Sequence, residues 1–196
     1  MAYRQEIARK TIHLASALIP TAYLFLPREL VLTLLLILLL AMGAIEVLRQ
    51  NTPAFGRLFD RILGFMLRRF EHRGVTGATF VFLASFLAIG LFPKPIALTV
   101  LYILSISDSL ASLVGMRFGS IRFRGKSLEG SAAFFLSALL IAWIVFQGRP
   151  VPALVGATVS TVAEALPLRL GRYEVNDNVW VPLVTGATLM LVVPSP

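Results

Sequence analysis

Seven apolar stretches, at roughly 12–26, 30–48, 76–92, 96–114, 131–146, 151–166 and 179–193, are separated by shorter polar ones along the chain. Each predicts a helix. A helix that crosses a membrane needs ~17–25 apolar residues, and several of these stretches fall at or below that length. Tilted, re-entrant or locally thinned arrangements could accommodate them, and length alone does not decide whether 12–26 and 151–166 cross fully. The segment 57–71 has a different pattern. Arg57, Asp60, Arg61, Gly64, Arg68 and Glu71 recur at helical spacing on one face. Leu58, Phe59, Ile62, Leu63, Phe65, Met66 and Phe70 cover the rest. That pattern predicts an amphipathic helix lying on a membrane surface with its arginines towards anionic headgroups. No repeat, low-complexity tract or boundary interrupts the chain, so residues 1–196 read as one membrane-embedded domain. The expected fold is an all-α integral membrane protein of about seven spans plus the interfacial helix.

Composition supports this. The chain is 57% hydrophobic and 14% charged, which excludes an ordinary soluble domain. It has no cysteine, so disulfides and thiolate metal sites are excluded. The net charge of +8 could suggest nucleic acid, but apolar runs separate the basic residues and no nucleic-acid partner is expected. Their distribution reads better as membrane orientation. With the N-terminus cytoplasmic, fifteen of the eighteen Lys and Arg residues fall on the cytoplasmic side and only Arg28, Lys94 and Arg149 on the other. That asymmetry predicts N-in, C-out and a multi-pass protein of the cell membrane. The charged start could mimic a signal peptide, but no small-residue cleavage site follows before Pro20. It reads as the start of the first membrane helix.

The candidate chemistry gathers on the cytoplasmic side. Asp108 lies about six residues inside the fourth span, ~9 Å below the interface at 1.5 Å per residue. An unpaired carboxylate there costs roughly 2.5–3.5 kcal/mol, so such a residue suggests a bound ligand. Ser105, Asp108, Ser112 and Gly115 would form one small polar stripe. Topology brings Glu129, Glu164 and Asp177 to the same side, with Arg9, Lys10, Arg117 and Lys126. Thr76, Gly77 and Thr79 open a helix whose free N–H groups could hold an anion. Carboxylates interspersed with cations suit Mg²⁺ and a polyphosphate. His13 reads as a structural hydrogen-bonder, Glu46 as a partner of Arg49 or a cap of its helix region, and Tyr102, Trp143 and Trp180 as packing or interface residues. "GKS" at Gly125–Ser127 is not a P-loop, because five residues instead of four separate Gly119 from Gly125 and a membrane helix precedes them. A glycine-flanked lysine before a helix can still grip phosphate.

The ordered motifs "RKTIHL", "TGATF", "DSLASLVGMRFG", "GKSLEGS", "ATVSTVAEALP" and "NDN" resemble the CTP-dependent lipid kinases. These are the dolichol and polyprenol, phytol and diacylglycerol kinases, related to the phosphatidate cytidylyltransferases. The resemblance covers about residues 9–183. It implies CTP as phosphoryl donor, a divalent metal such as Mg²⁺, and a lipid alcohol as acceptor. It implies nucleotide binding by Arg9, Lys10, Gly115, Arg117, Gly119, Gly125, Lys126, Ser127 and Gly130, with 115–130 as the nucleotide-binding loop. Asp108 and Lys126 would be catalytic, and Asp108, Glu129, Glu164 and Asp177 would bind metal. Whether Asp108 holds metal or takes the alcohol proton stays open, as does a homodimer. The rival readings are a cytidylyltransferase acting on a lipid phosphate, a small transporter and a structural membrane module.

Overall fold

Prolines and polar turns set where the apolar runs become helices. The computed structural model describes residues 3–67, 71, 74–166, 168–170 and 173–193. The helices are α1 (Tyr3–Ala15), α2 (Leu18–Phe25), α3 (Arg28–Asn51), α4 (Pro53–Leu63), α5 (Gly77–Leu91), α6 (Lys94–Tyr102), α7 (Asp108–Phe118), α8 (Leu128–Val145), α9 (Pro150–Ala165) and α10 (Asp177–Val192). Pro53, Pro95 and Pro150 occupy first turns, where a missing N–H costs nothing. Two short antiparallel hairpins depart from the all-α expectation. They are β1 (Arg122–Phe123) with β2 (Lys126–Ser127), and β3 (Arg169–Leu170) with β4 (Tyr173–Glu174).

Among the described residues, three helices are long and apolar enough to cross a membrane: Arg28–Asn51, the composite Lys94–Phe118 and Leu128–Val145. Gly77–Leu91 and Asp177–Val192 are shorter apolar helices. Leu34, Ile37 and Leu40 of α3 and Leu136 and Leu140 of α8 point outward. So much exposed aliphatic surface marks a membrane protein. The expected 12–26 helix is broken. Ser16 Oγ donates to His13 O at 2.6 Å where α1 ends, and α2 starts two residues later. The expected 57–71 helix instead begins at Pro53 and gives way to one 3₁₀ turn at Gly64–Met66. Its residues 68–70 lie outside the described residues. No side chain of α4 is buried.

Helix α8 packs between α7 and α9, α9 packs on α10, α10 on α5, and α5 on α3; α1 runs along α7. Ala138 and Ala142 of α8 and Ala153 and Ala157 of α9 are fully buried, so these backbones approach closely. Two of the three basic residues expected on the side opposite the predicted site, Arg28, Lys94 and Arg149, cap helix C-termini. Arg28 Nε donates to Ile89 O at 3.0 Å, and Lys94 Nζ to Leu24 O at 3.1 Å.

Candidate active site

The site starts from an irregularity. Between α6 and α7 the chain makes a π turn over Ile103–Ser107, and the Asp108 N–H reaches back five residues to Ile103 O. Such turns are rare and frequent at functional sites. Asp108 then opens α7, facing α1. Lys10 Nζ pairs with Asp108 Oδ2 and lies 3.4 Å from Asp108 O. His13 Nε2 stands 3.2 Å from the same carboxylate oxygen and 2.9 Å from Leu104 O. Lys10 is only 6% exposed, so its charge is balanced by Asp108 and not by water. Arg9 turns the other way, donating from Nε to Glu6 Oε2 at 3.1 Å, while Ser112 Oγ donates to Glu6 Oε1 at 3.1 Å. Burial would raise the Glu6 pKa, but Arg9 and then Lys10 outweigh it and hold the carboxyl below its ordinary range.

The β1–β2 hairpin supplies the opposite wall. Its two-residue turn places Arg124 at φ 46° and Gly125 at φ 82°, a left-handed pair that glycine makes affordable at the second position. The "GKS" stretch is therefore a hairpin strand and a helix cap, as the rejection of a P-loop requires. Ser127 caps α8, its Oγ accepting from the Gly130 N–H at 3.1 Å. A side chain at Gly130 would come within 2.7 Å of Ala111 O, so α7 and α8 touch backbone to backbone there. Lys126 Nζ lies 2.5 Å from Glu164 Oε1, 2.7 Å from Glu164 O and 3.5 Å from Asp177 Oδ2. Burial would lower its pKa, but Glu164 and then Asp177 outweigh it, so the ammonium is raised above its ordinary value.

These groups line one open cleft of about 380 Å³, within the range of small-ligand sites. Of the residues predicted for the site, Arg9, Lys10, Asp108, Gly115, Gly125, Lys126, Ser127, Gly130, Glu164 and Asp177 meet there. Three do not. Arg117 is exposed, 5.6 Å over the Phe118 ring. Gly119 ends α7. Glu129 accepts from Ser120 N at 2.9 Å, and also from the Ser120 hydroxyl, so it braces the loop before β1. The predicted stripe also loses a member. Ser105 Oγ lies 2.7 Å from Ser16 Oγ, because the π turn breaks the helical period between residues 105 and 108. The anion expected at the start of α5 proves to be internal. Glu46 Oε1 accepts the Thr76 N–H at 2.8 Å while its other oxygen takes Arg49 at 2.6 Å.

Sequence reasoning left out Glu6 and Ser131, which line the cleft; Arg122, within the expected 115–130 loop, lines it too. The Glu6–Arg9 spacing of three on a helix was a usable signal.

Divalent metal is implied by the motifs, and the donor set fits it in kind. Asp108, Glu164 and Asp177 offer hard oxygens to one cleft, and Glu164 Oε2 is buried with no hydrogen-bond partner among the described residues. Among those residues no three acidic or histidine side chains converge on one point. Mg²⁺ does not require such a cage, since it usually shares one or two carboxylates with substrate phosphates.

The fold and site thus define a helical membrane protein with a charged cleft at one end of its bundle. The chain is 33% identical over 183 residues to an uncharacterized protein of Rickettsia prowazekii, covering 91% of this chain and 90% of that one. It is 28% identical over 165 residues to CTP-dependent diacylglycerol kinase 1 of Schizosaccharomyces pombe, covering 75% and 74%. It is 28% identical over 152 residues to the dolichol kinase of Saccharomyces cerevisiae, covering 71% of this chain and 28% of that one. No family model and no solved structure matches it. The chain belongs to the CTP-dependent lipid kinase family.

Proposed function

We propose that this protein transfers the terminal phosphate of CTP to the hydroxyl of a membrane lipid, a polyprenol, a diacylglycerol or a phytol-like isoprenoid. One observation carries the reading. The cleft sets Asp108, on a helix long enough to cross a membrane, across from Lys126, on a short polar hairpin. A lipid hydroxyl approaching laterally and a nucleotide arriving from water would meet between them. In the membrane, the protein would span seven times with its N-terminus and cleft cytoplasmic, and α4 would lie on the same leaflet.

Phosphoryl transfer depends chiefly on positioning and charge neutralisation. Lys126 and Arg122 would hold the triphosphate, with the α8 N-terminus at Ser127 and Gly130 beside it. Asp108, kept charged by Lys10, would accept the hydroxyl proton as the oxygen bonds to the terminal phosphorus. The bond to the bridging oxygen breaks and CDP leaves. Mg²⁺, held by Glu164 and Asp177 together with phosphate oxygens, would neutralise phosphate charge.

The test incubates the purified full chain with CTP, MgCl₂ and, separately, diacylglycerol, a polyprenol and phytol. A phosphorylated lipid with CDP is the expected result. A CMP-bearing lipid with released pyrophosphate would replace this reading by cytidylyl transfer, and turnover with none of them would reject it.

A further inference from the structure

In a regular α-helix the Leu104 carbonyl would accept from the Asp108 N–H, four residues on. Here that N–H goes to Ile103 O, so the π turn takes the expected donor away from Leu104. Leu104 is buried, and a buried carbonyl without a donor is costly. The replacement comes from another helix, because His13 Nε2 stands 2.9 Å from Leu104 O. The same nitrogen lies 3.2 Å from Asp108 Oδ2. A carbonyl can only accept, and the carboxylate is already engaged by the Lys10 ammonium. Nε2 must therefore carry the proton. Lys10 and His13, one turn apart on α1, hold the carboxylate together.

We propose that His13 is a positioning residue, whose Nε2–H fills the carbonyl released by the π turn and fixes the orientation in which Asp108 faces the cleft. The inference rests on the kinase reading given above. Without that donor the buried Leu104 carbonyl is left unpaired, and the turn can shift to relieve it, which displaces Asp108 from its place in the cleft. Displacing a reacting group by about 1 Å can cost on the order of 10²-fold in rate. CTP is held by the other wall of the cleft, so its binding should not feel the change.

Three variants separate position from bulk. The amide nitrogen of Gln mimics Nε2 in reach, that of Asn mimics Nδ1, and Leu offers neither. Steady-state kinetics use CTP and whichever of diacylglycerol, polyprenol or phytol the wild type phosphorylates best. His13→Leu and His13→Asn should lose roughly 10- to 100-fold in kcat with CTP KM within about threefold, and His13→Gln should recover most of it. The idea is overturned if His13→Asn or His13→Leu keeps wild-type kcat, if His13→Gln is as impaired as His13→Asn, or if the loss appears in the KM for CTP. Should His13→Leu fail to fold, the Asn–Gln pair decides alone. A wild type that phosphorylates no lipid would instead reject the kinase reading, so the two failures are distinguishable.

Discussion

Replacing Lys126 with alanine tests the centre of the cleft, and the structure changes what the substitution should do. From its loop position this lysine reads as a mobile cation that contributes charge and little packing. In the fold its side chain is 26% exposed and pinned between Glu164 and Asp177. Glu164 is 6% exposed, so Lys126→Ala strands a buried carboxylate beside a second acid. Removing one partner of a buried pair costs about 3–5 kcal/mol, and the partial exposure of Lys126 lowers this to about 2 kcal/mol. For a chain this long that is about 4–8 °C in the unfolding midpoint. Loss of a charge-assisted hydrogen bond to phosphate, about 1.5–3 kcal/mol, should weaken CTP binding roughly 10- to 100-fold. The two losses separate in a cycle with Glu164→Gln. Neutralising the stranded acid should restore most of the midpoint in Lys126→Ala/Glu164→Gln but not the CTP affinity, read by calorimetry in detergent. If the double variant regains both, Lys126 serves only to neutralise Glu164. If Lys126→Ala changes neither, the ion pair and the nucleotide role both fall.

Asp108→Asn should reduce lipid phosphorylation by roughly 10²–10⁴-fold, the contribution of a positioned base, and near-normal turnover would remove Asp108 from the reaction. It should also lower the unfolding midpoint, because it strands Lys10, and adding Lys10→Met should recover that loss without recovering activity. The native chain has no cysteine, so Ile121→Cys and Arg149→Cys, both exposed positions, can be labelled singly with an impermeant maleimide in sealed cells. Opposite accessibility is expected, with Arg149→Cys outside, and labelling from the same side would break the one-sided topology on which the cleft depends.

The helices were legible because hydrophobic runs and prolines act locally. All seven apolar stretches became helical, and Pro53, Pro95 and Pro150 mark starts. The interruptions were not legible, because their causes lie elsewhere in the fold. The break after Ala15 sits where Ser16 meets Ser105, 89 residues away. The π turn runs through ILSIS, which carries no breaker, and it is met by a histidine from α1. The charged residues of the site were legible one by one, because acids and bases between apolar runs are conspicuous. Their pairing was not. Arg9 turned to Glu6, and Glu129 turned to the backbone at Ser120. Both choices follow from side-chain direction on a helix, which spacing constrains and loop geometry decides.

The pairing explains how so much charge is tolerated at the edge of an apolar bundle. Asp108 alone would cost roughly 2.5–3.5 kcal/mol in a membrane helix. Paired with Lys10 it enters as a neutral unit, but only once α1 has docked along α7, so completing the site and packing the first helix are one event. Lys126 and Glu164 repeat the device between the hairpin and α9. Each wall of the cleft thus balances its own charge across two elements. A triphosphate carrying a divalent ion, as the proposed reaction requires, brings anions for Lys126 and a cation for the Glu164 and Asp177 carboxylates it leaves. Partners can then be exchanged without the buried Glu164 carboxylate being left alone, which makes entry of the nucleotide compatible with its burial.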